Sequence, residues 1–189
     1  AQTDTTPDRT ATNFKIDTVT THFNLVNAVS LTSNGFYDSS IVVYNENIKL
    51  LISLNDSFNL MRNYLGVGIN YGKIGIYEKA IESFIKSLKL AEMLNDIKRI
   101  ASAYNNMGIV ENKMKNHQKA IYYYKKSIKI KEELKDTMSL VYDYQNISGV
   151  FYNQKNFEKS LKFALKTLEL TKSINDVFGI GLAYMGIGL

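Results

Sequence analysis

Residues 104–124 read YNNMGIVENKMKNHQKAIYYY. Tyr104 is followed three positions on by Met107 and then by Gly108, Ala120 stands twelve residues beyond that glycine, and Tyr124 stands four beyond the alanine. Large, apolar and small residues recur here at helical spacing on both sides of the short break Met114-Lys115-Asn116. That pattern predicts two antiparallel amphipathic helices joined by a tight turn.

Working outward, the same spacing returns every 40 residues. Tyr64, Tyr104, Tyr144 and Tyr184 form an aromatic column; Gly68, Gly108, Ser148 and Gly188 form a small one, which Ala28 extends backward. Ser40, Ala80, Ala120 and Ser160 form a second small column. Tyr44, Phe84 and Tyr124 follow it four residues later, with Ala164 as the exception. Asp56, Asp96, Asp136 and Asp176 each precede a new apolar-periodic run. Their carboxylates suit N-caps, because they can accept from unpaired amides and their charge complements the positive helix end.

Each unit is therefore expected to be a pair of helices of about 17 residues, about 26 Å long. Four units span 17–56, 57–96, 97–136 and 137–176, and residues 177–189 begin the first helix of a fifth. An unpaired amphipathic helix would expose its apolar face, so the polypeptide is expected to continue past Leu189. Residues 1–16 are polar and threonine-rich, which predicts a flexible tail. Turns are expected at Asn34-Gly35, Ile74-Gly75-Ile76 and Met114-Lys115-Asn116, where Gly and Asn tolerate a left-handed residue.

Composition narrows the function classes. With 189 residues and 45% hydrophobic content, the chain can bury a core. No apolar run reaches the 18 or so residues of a membrane span, so no membrane contact is expected. The absence of cysteine and the presence of only His22 and His117 exclude a thiolate or histidine-rich metal site. Pro7 is the sole proline, as long uninterrupted helices require. The formal charge of +5 is modest, and lysines alternate with glutamates as on a solvated face. The start at Ala1 fits a processed secretory protein or a chain boundary. A periplasmic placement is slightly favoured over a cytoplasmic one, without a visible signal peptide to decide.

The columns in 104–124 (Tyr104, Met107, Gly108, Ala120, Tyr124) and in 64–84 (Tyr64, Val67, Gly68, Tyr71, Ala80, Phe84) resemble the tetratricopeptide repeat. The resemblance implies an all-α, right-handed superhelical solenoid of antiparallel helix pairs. The common repeat has 34 residues and ends in proline. The 40-residue period without proline looks like the longer form of bacterial peptide-responsive regulators, kinesin light chains and bacterial sensor kinases. In the first unit Asn24 replaces the aromatic and Asn27 the apolar residue, which suits a capping repeat.

The resemblance also implies a groove lined by the first helices. Its positions fall on Arg62, Leu65, Gly66, Ile69, Gly72 and Lys73 in the second unit. They fall on Ser102, Asn105, Asn106, Ile109, Asn112 and Lys113 in the third, and on Tyr142, Gln145, Asn146, Gly149, Tyr152 and Asn153 in the fourth. Carboxamides both donate and accept, which suits an extended peptide backbone, and tyrosine adds contact area with a polar tip. Relatives that grip a C-terminal carboxylate use basic residues where Ser102, Asn106, Tyr142 and Asn146 stand, so a carboxylate clamp is not expected.

No catalytic constellation or cofactor site emerges. His117 occupies the turn position of Tyr37, Tyr77 and Phe157 and reads as a packing residue, and Glu132 and Glu133 lie on a lysine-rich exposed face. The leading expectation is a non-enzymatic scaffold that binds a peptide or protein segment, including one from its own polypeptide. Its most specific form is the sensory or regulatory repeat region of a larger bacterial signalling protein. The alternative is an adaptor that uses Lys125, Lys126, Lys129 and Lys131 to bind nucleic acid or an acidic partner.

Overall fold

The computed structural model describes the backbone of residues 9–187. Those residues form nine helices: α1 Arg9–Ser33, α2 Tyr37–Ser53, α3 Ser57–Lys73, α4 Tyr77–Met93, α5 Ile97–Lys113, α6 His117–Glu133, α7 Thr137–Asn153, α8 Phe157–Ser173 and α9 Val177–Ile187. Among the described residues there is no strand, and no helix is long and apolar enough to cross a membrane. The fold is a tandem series of antiparallel helix pairs.

Two compact units divide the chain, Ala1–Leu90 and Ala91–Leu189. In the first, α1 packs on α2 and α2 on α3, around Leu25, Ala28, Tyr44, Ile48 and Val67. In the second, α5 to α9 pack each on the next. Its core runs from Ala120, Ile121, Tyr124 and Ile128 of α6 to Leu140, Tyr144, Ile147, Val150 and Phe151 of α7.

Helix starts follow from the aspartate column. Asp56 accepts from the Asn59 amide at 3.0 Å, Asp96 from Arg99 at 3.1 Å, Asp136 from Ser139 at 3.2 Å and Asp176 from Gly179 at 3.0 Å. Burial opposes the ionised form of Asp136. The hydrogen bonds from Ser139 and the charges of Lys131 and Lys98 outweigh it and hold this carboxyl below its ordinary range.

Helix ends share one geometry. A single residue in the left-handed region reverses the chain at Gly35, Asn55, Gly75, Asn95, Lys115, Lys135, Lys155 and Asn175. The amide after it returns to a carbonyl five residues back, as Asp56 does to Leu51 at 3.0 Å and Asn116 to Glu111 at 2.8 Å. Lysine holds this conformation three times at a steric cost that glycine and asparagine largely escape.

The hairpins are set by volume exchange at the small column. A Cβ on Gly68 would lie 2.5 Å from Phe84, and one on Gly108 2.7 Å from Tyr124. The glycine thus leaves room for the ring. Ser148 and Ala164 fall at the equivalent positions of one pair, where a side chain returns and the ring is gone, whereas in the first pair Ala28 stands in the column opposite Tyr44. The Ser148 hydroxyl donates to the Ser160 carbonyl at 2.8 Å.

One expectation changes. Of the expected tail, residues 1–8 lie outside the described residues, whereas 9–16 continue α1. No proline or glycine interrupts 9–33, and extending a formed helix costs little compared with nucleating one. On the exposed face of α1, Val19, Phe23 and Val26 stand among exposed Thr18, His22, Asn27 and Ser30. Gly188 lies outside the described residues.

Two glycines should respond oppositely to the same change. Gly108→Ala forces Tyr124 aside and is expected to cost about 1–3 kcal/mol despite alanine's better helix propensity. Gly149→Ala meets nothing within 4 Å and should gain about 1 kcal/mol. Thermal melts that shift in the same direction would contradict this packing. The depressed Asp136 makes its contribution complete above the ordinary carboxylate pKa and lost as pH falls through its lower folded value. Asp136→Asn should therefore flatten that limb of an acid titration followed by circular dichroism.

Candidate functional site

The groove positions do not share one environment. On α3, Arg62 is half-buried, with its guanidinium 3.4 Å from the Asn59 side-chain oxygen and over the Phe58 ring. Ile69 is half-buried and Lys73 exposed. Leu65 is a correction: it is only 8% exposed and belongs to the core. The arc it shares with Gly66 is turned inward, because the Tyr44 ring packs directly on Gly66. Gly72 is buried as well.

On α5, most polar positions already have partners. Asn106 donates to the Ser102 carbonyl at 2.9 Å, and Asn112 bonds the His117 ring at 3.1 Å. Ser102 and Ile109 are half-buried, and Ile109 packs against the core of the second unit; Lys113 is exposed. Asn105, expected to read a ligand, instead donates its amide to Asp143.

Asp143 is the residue that sequence reasoning missed. Its carboxylate is fully buried on α7. It accepts from Ser127 at 2.6 Å, from Lys131 at 2.8 Å and from Asn105, so one side chain ties α5, α6 and α7 together. Burial pushes its pKa up, against the opposing pull of Lys131, Ser127 and Asn105. Lys131 also reaches the Ser139 carbonyl at 3.3 Å. It therefore leaves the basic face to which the sequence assigned it. A signal did exist in the columns. Lys131 stands where Leu51, Ala91 and Thr171 stand, and Asp143 where Asn63, Ala103 and Ala183 stand. Opposite charges depart together from otherwise uncharged columns on consecutive helices.

The same register carries a neutral version in the first unit. Asn47, equivalent to Ser127, donates to the Thr21 carbonyl and to Asn63 at 3.0 Å, and Asn63 donates to the Asn59 carbonyl at 2.8 Å. A second repeated device is cationic. Lys86 stands over Tyr64, Lys126 over Tyr104 and Lys166 over Tyr144, at 5.6, 5.6 and 5.0 Å from the ring centroids. These lysines cover aromatic rings across each helix pair, beyond the surface role their spacing predicts.

Helix α7 is different. Met138, Tyr142, Gly149 and Tyr152 lie exposed along one stripe, with Met138 at 67%, Tyr142 at 61% and Tyr152 at 60%. Half-buried Gln145 and Asn146 lie beside it, and Asn153 is exposed at its end. Among the described residues these three carboxamides make no side-chain hydrogen bond, so their donors and acceptors are free. Any Cβ at Gly149 would meet nothing, which leaves a flat strip between the two tyrosines. No group of three His, Cys, Asp or Glu that could hold a metal occurs among the described residues.

Comparison with known proteins agrees with this architecture. Residues 99–173 match the family model of the tetratricopeptide repeat. No curated protein matches the chain in sequence. Among solved structures, aspartyl phosphate phosphatase F from Bacillus subtilis superposes with a TM-score of 0.82 at 19% identity, over 88% of this chain and 45% of that one. A Rap protein complexed with Competence and Sporulation Factor gives 0.81 at 16% identity, over 89% and 49%. A signal transduction ATPase with a tetratricopeptide repeat sensor, from Pyrococcus horikoshii, gives 0.78 at 19% identity, over 87% and 25%. The chain thus spans about half the length of these proteins or less.

The buried clamp makes a sharp stability prediction. Asp143→Ala strands Lys131 and should cost about 3–5 kcal/mol, whereas Lys131→Thr with Asp143→Ala, which copies Thr171 and Ala183, should fall within about 1 kcal/mol of the parent. Urea unfolding of both variants checks it. Equal losses would mean that the pair is not coupled.

Proposed function

We propose that this tetratricopeptide-repeat protein is a binding scaffold whose ligand is an extended peptide or protein segment laid along the exposed face of α7. One observation carries the reading: the α7 stripe combines exposed Met138, Tyr142 and Tyr152 with free carboxamides on Gln145, Asn146 and Asn153. The aromatic rings supply area that is costly to leave in water, and the carboxamides match backbone donors and acceptors of an extended chain. Asn106, Ile109, Asn112 and Lys113 of α5 form the neighbouring wall in this proposal, with Asn106 and Asn112 keeping part of their hydrogen-bonding capacity. Asn105 serves the clamp and holds that wall in place.

The fold supports a binding role over a catalytic one, although one similar structure is named a phosphatase. Another holds a factor whose name links it to competence and sporulation, and a third is described as a sensor. These likenesses support a regulatory role in a larger bacterial signalling protein, with the repeats reading a peptide or a neighbouring segment.

Selection of a random peptide library on the chain tests the site. Enriched peptides should lose about tenfold or more in affinity with Tyr142→Ala and with Asn146→Ala, at unchanged melting temperature. Peptides that bind both variants as tightly as the parent would remove α7 as the site.

A further inference from the structure

On the side of α5 away from Asn105 and Ile109 lies a concavity of about 510 Å³, between α5 and α6. Ile100 and Tyr104 lie about half a helical turn from the groove positions at 100° per residue, so this cleft is separate from the α7 stripe. Half-buried Ile100 and Ile130 give it an apolar floor. Lys125, Lys126 and Lys129 rim it, and Glu133 closes one end.

The charges of the rim are not already spent. The ion pairs among the described residues are Lys86 with Glu82 and Lys131 with Asp143, so neither Lys125 nor Lys129 is held in one, and both are exposed. Lys126 is held differently. It stands 5.6 Å from the Tyr104 centroid and 5.4 Å from that of Tyr122, between the two rings. A cation fixed in this way costs little further entropy when it meets an anion.

We propose that the α5–α6 cleft binds an acidic peptide segment, with an apolar or aromatic side chain on Ile100 and Ile130 and carboxylates on Lys125, Lys126 and Lys129. Glu133 sets polarity, since an acidic residue at that end would be repelled. Single-stranded nucleic acid fits less well, because stacking needs open ring faces. Tyr104 is already stacked on Tyr123 at 6.2 Å, and Lys126 covers both Tyr104 and Tyr122.

Fluorescence anisotropy with the full chain decides the matter. The probes are a labelled decapeptide of glutamates flanking one phenylalanine, its glutamine counterpart and a labelled oligothymidylate. The acidic peptide should bind saturably, and Lys125→Glu with Lys129→Glu should weaken it by about tenfold or more, since both side chains are exposed rim charges. Tyr142→Ala should leave this affinity unchanged, so failure here and failure of the α7 site are told apart. Absence of acidic-peptide binding, equal binding of the glutamine peptide, or an unaffected charge-reversal variant would each overturn the proposal. Tighter binding of oligothymidylate, lost in the same variant and steeply weakened by salt, would replace it with a nucleic-acid surface.

Discussion

Close approach of two helix backbones is the constraint on which the helix pairs depend. Tyr124 and Phe84 are almost wholly buried, and each ring fits only because the facing position on the preceding helix is glycine. Interiors are packed too tightly to absorb an extra methyl at such a point without displacement of the ring or the helix. The serine and alanine at 148 and 164 obey the same rule from the other direction.

Polar side chains then fix the neighbouring helices within each unit. At one register the first unit uses Asn47 with Asn63, and the second uses Ser127, Lys131 and Asp143. The neutral pair avoids the desolvation of a charge, while the ionic one suffers it and is held by three donors to a single carboxylate. This choice reaches the surface. By drawing Asn105 inward, Asp143 removes one carboxamide from the exposed wall of α5 and leaves α7 with the free ones. The polar character of the exposed faces of the two helices is in this sense set by a buried group.

Lysines are similarly divided between jobs that composition alone makes identical. Lys86, Lys126 and Lys166 cover tyrosine rings, Lys131 neutralises a buried acid, and Lys115, Lys135 and Lys155 turn the chain through the left-handed region. Lys125 and Lys129 are left as exposed charge beside an apolar cleft. A net charge of +5 therefore overstates the basic surface open to a partner and understates its concentration at one place.

The sequence by itself determined the period, the helix pairs and the aspartate caps, because each depends on residues near in the chain or on columns repeated at a fixed interval. Asp56, Asp96, Asp136 and Asp176 could be read as caps since the amides they serve lie three residues away. The tertiary structure alone decided which groove positions stay available. Leu65 is buried, Asn105 is tied to a residue 38 positions distant, and Gln145 makes no side-chain hydrogen bond among the described residues, although all three occupy the same column of the repeat. Periodicity assigns a residue to a face of its helix. Whether that face meets water, a ring or a buried charge depends on contacts between helices far apart in sequence, and a repeat that varies at those contacts hides the answer until the chain is folded.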